Sequence, residues 1–153
     1  MAIFKVIDNA LDDEEKVYNV CNYIIAGAKD DDIRNCVGRG LSPINAFNDI
    51  TEMLDLFDKN KGRRGYHFVV SFSKDEPICE TDYLRIGMDI SDYFFPQHQV
   101  LFARHKEKDG MHHLHFLVNT ASLDSGHKLH LGYTEQAELE NHIENIINDY
   151  KSS

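Results

Sequence analysis

Apolar positions recur along the chain at two periods, close to 2 and close to 3.6 residues, and these divide it into strands and helices. Ile3–Ile7 (IFKVI) alternates weakly and predicts an edge strand. Asp12 and Asp13 suit an N-cap and an acidic first turn, and Val17, Val20, Cys21, Ile24 and Ala28 then follow at helical spacing. Tyr18 and Tyr23 both fall on the flanks of that stripe, and periodicity does not choose between them. Lys29–Asp32 reads as a solvated loop, and Arg34–Leu41 as an irregular connection with glycines at turn positions. Ser42 with Pro43 opens a second helix, whose apolar face is Ile44, Phe47, Ile50, Leu54 and Phe57. Tyr66–Phe72 (YHFVVSF) predicts a strand, with Tyr66, Phe68, Val70 and Phe72 on one face and His67, Val69 and Ser71 on the other. A third helix runs from about Glu80 to Phe94, ahead of Pro96. A fourth is capped by Thr134 and striped by Leu139, Ile143, Ile146, Ile147 and Tyr150. The expected fold class is α+β: an antiparallel sheet flanked by helices, in a single domain spanning residues 1–153.

Between the last two helices lies the stretch that carries chemistry. Val100–His105 (VLFARH) and His113–Asn119 (HLHFLVN) read as the arms of a hairpin, with His112 in the loop between them. Side chains alternate faces along a strand, so His113, His115, Leu117 and Asn119 share one face, as do Leu101, Ala103 and His105 on the partner. With His105 opposite His113, their Cβ atoms lie about 4.5–5.5 Å apart. His115 follows one pleat on, roughly 6.5 Å from His113. Three imidazoles on one face form a candidate site for a divalent metal, since neutral imidazole is a common ligand. A slip of one residue in register would send His105 to the other face.

Composition narrows the classes. The chain has 153 residues, 42% of them hydrophobic, enough for one compact core. No segment approaches the roughly 20 apolar residues of a membrane span, and the N-terminus lacks the pattern of a signal peptide. Three widely spaced cysteines, Cys21, Cys36 and Cys79, suit a reduced, cytoplasmic protein with no membrane partner. The net charge of -10 argues against a general nucleic-acid binder. Yet Lys59, Lys61, Arg63 and Arg64 concentrate four cations within six residues.

Several stretches together resemble the relaxase and mobilisation-nuclease family of conjugative elements, in its VirD2- and MobA-like branch. They are Tyr23-Ile24, Asn35-Cys36, YHFVVSFSKDE (Tyr66–Glu76), Arg104-His105, His113–Asn119, and Gly126 to His130. The resemblance covers nearly the whole chain, in order. It implies a metal-dependent transesterase that nicks one strand of a transfer origin and joins a tyrosine to the 5′ end. By the motif, Tyr23 takes the nucleophile's place and His105, His113 and His115 the metal ligands' places. The ion used would be Mg²⁺ or Mn²⁺, with Zn²⁺ or Ni²⁺ binding more tightly to nitrogen donors. The partners it implies are single-stranded transfer-origin DNA and relaxosome accessory and coupling proteins.

Around that centre, His67 and Ser71 are candidates to hold a phosphate or orient a ligand, Asn119 to fix a ligand imidazole, and Glu76 to act as a base. Lys59, Lys61, Arg63, Arg64 and Arg104 are candidates to line a DNA groove, with stacking by Tyr66 or another aromatic. Glu107 stands where the family has an aspartate, two residues after the first ligand. The alternatives are a non-catalytic relative acting as a DNA- or partner-binding module, and a three-histidine hydrolase using metal-bound water.

Overall fold

A computed structural model describes residues 2–7, 11–29, 35–107 and 110–151. Five strands and four α-helices follow in the order β1 (Ala2–Val6), α1 (Glu14–Lys29), β2 (Cys36–Arg39), α2 (Ala46–Leu56), β3 (Gly65–Phe72), α3 (Tyr83–Phe94), β4 (His98–Lys106), β5 (His112–Ser122) and α4 (Tyr133–Tyr150). The strands form one antiparallel sheet in the order β1-β3-β5-β4-β2. The α+β sheet flanked by helices is therefore present, with β5 at its centre and β1 at an edge.

Each face of the sheet packs a helix pair, and the period-2 pattern decides which residues go where. Phe68, Val70, Phe72, Val100, Phe102, Leu114, Phe116 and Val118 turn towards α3 and α4, meeting Ile86, Ile90, Leu139, Ile143 and Ile147. Phe68 and Phe116 stack there at 4.5 Å between centroids. A Cβ on Gly87 would come within 2.4 Å of the Phe102 ring, so the bare glycine lets α3 lie close on the sheet. Leu101, Ala103, Leu117 and Ala121 turn the other way, against Val17, Val20, Cys21, Ile24 and Ala28 of α1 and Ala46, Ile50 and Leu54 of α2.

Several expectations change, among them the cap of α4, which is Gly132 rather than Thr134. Arg34–Leu41 is not wholly irregular, because Cys36–Arg39 pairs with Val100–Ala103 as an edge strand too short to show a period. Ile44 is 82% exposed, because a 3-10 turn over Pro43–Asn45 precedes α2 and takes it off the apolar stripe. The hairpin arms are longer than expected, starting at His98 and ending at Ser122. His112 is in strand rather than loop: it pairs with Lys106 and Phe72, and its ring stacks on Tyr83 at 4.4 Å. The loop expected at Lys29–Asp32 falls largely outside the described residues.

Candidate active site

The central strands bring a line of histidines onto the face covered by α1. His105 lies opposite His113, and Ala103 opposite His115. On the other side of β5, Ser71 is opposite His113 and Val69 opposite His115, so His67, Ser71, His105, His113 and His115 share this face. His67, His105 and His115 are buried, at 6%, 5% and 5% exposure, while His113 is half-buried. The rings of His105 and His115 lie 4.3 Å apart between centroids, and those of His113 and His115 6.1 Å.

Tyr23 stands over this line. It projects from α1 with 52% of its surface exposed, and its ring meets three imidazoles edge-on: His115 at 5.2 Å, His105 at 5.4 Å and His67 at 6.1 Å. Together with Ile7, Lys16, Asn19 and Val20, Tyr23, His67 and His115 line a cleft of ≈ 410 Å³. Tyr18 is directed elsewhere and packs edge-to-face on Phe47 of α2 at 5.3 Å. One helix position thus separates two tyrosines that periodicity alone leaves equivalent.

The histidines are held by different partners. His105 donates from Nε2 to the Ile24 carbonyl at 2.9 Å, so α1 clamps its ring. A Cβ on Gly27 would sit 2.3 Å from that ring, and only glycine leaves the notch it occupies. His113 Nδ1 is 3.5 Å from Glu107 Oε1. His67 Nε2 and His115 Nδ1 share a hydrogen bond of 3.1 Å, and the remaining nitrogens, His67 Nδ1 and His115 Nε2, are buried without a partner. Burial, then the neighbouring His105 imidazole, pushes His67 down to about 4. Burial, then the imidazoles of His105, His67 and His113, pushes His115 down to about 3. Both rings are therefore neutral at pH 7, the state in which imidazole ligates a metal.

The donor set fits a divalent cation: neutral imidazoles on one sheet face, with a bare buried nitrogen at His115 Nε2. As oriented, no three His, Cys, Asp or Glu side chains among the described residues converge closely enough to hold one, and the His105 ring is turned to Ile24.

Other expected residues lie apart from the histidines. Asn119 is on their face but fully buried further along β5, donating to Gln99 Oε1 and the Ile50 carbonyl rather than to an imidazole. Glu76 is buried against Lys151 Nζ at 3.3 Å, in an ion pair that anchors the end of α4. Arg104 faces the opposite side of the sheet from His105, and its guanidinium meets Glu80 at 3.2 Å. It is also remote from Lys59–Arg64, which leads into the far end of β3. Tyr66 is buried, its hydroxyl accepts the Leu131 N–H, and Arg63 covers its ring at 4.4 Å. It seats Arg63 rather than offering an open stacking surface. Residue alternation does not report these partners, because each arrives from a distant segment. Among the residues missed, Gly27 carried a signal: an isolated glycine inside a helical pattern marks a close approach.

No described helix is long and apolar enough to cross a membrane. A curated relative, protein Rlx of Staphylococcus aureus, is 26% identical over 74 residues, which are 48% of this chain and 22% of that protein. A solved chain from work on the molecular basis of vancomycin resistance transfer in Staphylococcus aureus superposes with a TM-score of 0.66. It covers 98% of this chain and 92% of that one at 10% identity, which shows a shared fold. The family model for the MobA/VirD2-like nuclease domain of relaxases matches residues 20–152. The chain belongs to the MobA/VirD2-like relaxase nuclease-domain family.

Proposed function

We propose that this chain nicks one strand of transfer-origin DNA by transesterification, with Tyr23 as nucleophile. The observation that carries the reading is the Tyr23 ring set edge-on against His67, His105 and His115 while half its surface stays open to solvent. Conjugative DNA nicking is the activity of the family. Tyr23 Oη attacks phosphorus, a P–Oη bond forms, and the bond from phosphorus to the 3′ oxygen breaks. The phenol proton leaves to water and the departing 3′ oxygen takes one up. The products are a 5′ end joined to Tyr23 and a free 3′ hydroxyl, so phosphodiester energy is kept for rejoining. A free tyrosine has a pKa near 10, and a cation close to the phenol and phosphate favours the phenolate. His105, His113 and His115 would hold that cation, Mg²⁺ or Mn²⁺, which would polarise the phosphate and offset developing negative charge.

The test is to incubate the protein and Mn²⁺ with single-stranded oligonucleotides from the intergenic DNA beside the gene. The expected result is a protein–DNA adduct that survives denaturation. Tyr23→Phe keeps the ring packing and should lose the adduct entirely, and Tyr18→Phe should keep it. If the two results are reversed, the nucleophile is Tyr18. Cleavage without any adduct points to a hydrolase using water, and binding without cleavage to a non-catalytic relative acting as a DNA-binding module.

A further inference from the structure

His67 and His115 direct a ring nitrogen at each other across the face that carries the histidines. His67 Nε2 lies 3.1 Å from His115 Nδ1, and both residues are buried. Two neutral rings can share that bond in only two ways. If His67 donates, the His115 proton sits on Nδ1's opposite nitrogen, Nε2, which is buried without an acceptor and has no lone pair to offer. If His115 donates from Nδ1, its Nε2 carries a lone pair, and His67 Nδ1 holds the bare N–H instead. Each arrangement leaves one buried donor and one buried acceptor unpaired, so hydrogen bonding within the protein does not separate them. A cation seated at His115 Nε2 does, because only the second arrangement leaves a lone pair on that nitrogen.

We infer that His67 is a positioning residue for His115, accepting its Nδ1–H and so holding the Nε2 lone pair open to a divalent cation. The inference rests on the metal-dependent reading above. His67 itself is not placed to be a fourth ligand through Nε2, since that nitrogen faces His115. The usual acceptor behind a ligating histidine is a carboxylate, a backbone carbonyl or water. Here the carboxylate belongs to His113, through Glu107, while His115 has a neutral ring behind it. A neutral acceptor fixes the tautomer without adding negative charge, so the cation's charge stays available to a phosphodiester anion.

Three measurements test this. In Zn²⁺-loaded wild-type protein, long-range ¹H–¹⁵N spectra should place the His115 proton on Nδ1. Calorimetry with Mn²⁺ on the metal-free protein should show His67→Phe binding about 10- to 100-fold more weakly than wild type. His67→Gln, whose amide oxygen can accept the same proton, should stay within a few-fold. A His115 proton on Nε2, equal Mn²⁺ affinity in His67→Phe, or no divalent-ion binding by wild type would each overturn the inference. The spectra of wild type decide the matter even if His67→Phe does not fold. A wild type that shows the tautomer and the affinity pattern but forms no DNA adduct upholds the role of His67 and rejects the nuclease reading.

Discussion

Gly27 shows how much of the site depends on a missing side chain. On an exposed helix, glycine to alanine stabilises by about 1 kcal/mol through propensity. In α1 the added methyl would meet the His105 ring at 2.3 Å, so the ring or the helix must move. Gly27→Ala should therefore destabilise the protein by about 1–3 kcal/mol, the usual cost of overpacking, and break the bond from His105 to the Ile24 carbonyl. A thermal melt checks the first outcome and Mn²⁺ calorimetry the second; a variant more stable than wild type would mean the notch closes without cost. At this scale the sequence was legible wherever a residue's place follows from strand alternation. The strand alternation of His105, His113 and His115 is such a case. Asn119 and Glu76 were not legible, because Gln99, Ile50 and Lys151 reach them from other parts of the chain.

At the scale of elements, the connection from Lys59 to Arg64 concentrates four of the chain's 16 basic side chains just ahead of β3. Among the described residues none of the four makes an ion pair, although they are not equally available. Arg64 is consumed locally, donating to the carbonyls of Asp12, Gly62 and Asn60 and pinning the turn. Arg63 is seated over Tyr66 beside Lys128, Thr120 and Tyr133 in a larger cleft of ≈ 740 Å³. If this connection meets DNA phosphates, Lys61→Ala with Arg63→Ala should weaken single-strand binding several-fold and flatten its dependence on salt. Fluorescence anisotropy across a salt series measures both, and unchanged affinity would place the DNA elsewhere. Arg64→Ala should act instead on thermal stability. The hairpin, β3 and the helices were readable from period alone. Strand β2 was not, since four residues that include Gly38 and are followed by Gly40 carry too little pattern to distinguish an edge strand from a turn.

Across the whole molecule, three buried histidines on two faces of the sheet link folding to pH. Burial lowers His67 to about 4, His115 to about 3, and His98 below its ordinary value, while the unfolded chain titrates near 6.5. Above about 6.5 all three are neutral in both states and their contribution is complete. As pH falls from there towards the folded values, the unfolded chain binds protons first, so stability is lost. The metal-free protein should melt several degrees lower at pH 5 than at pH 7.5, and His67→Gln should reduce that difference. An equal difference in the variant would show that other groups control the slope. The position of β5 has a further consequence, in the order in which amides open. β5 is paired on both sides, so the backbone beneath His113 and His115 should exchange its amide hydrogens only through near-global unfolding. Tyr23 belongs to a helix that rests on one face of the sheet and should open at lower cost. Tyr23 and the backbone that carries His113 and His115 should therefore open in separate units, so that on the proposed function α1 would lift or re-seat a DNA-linked tyrosine while those histidines stay in register.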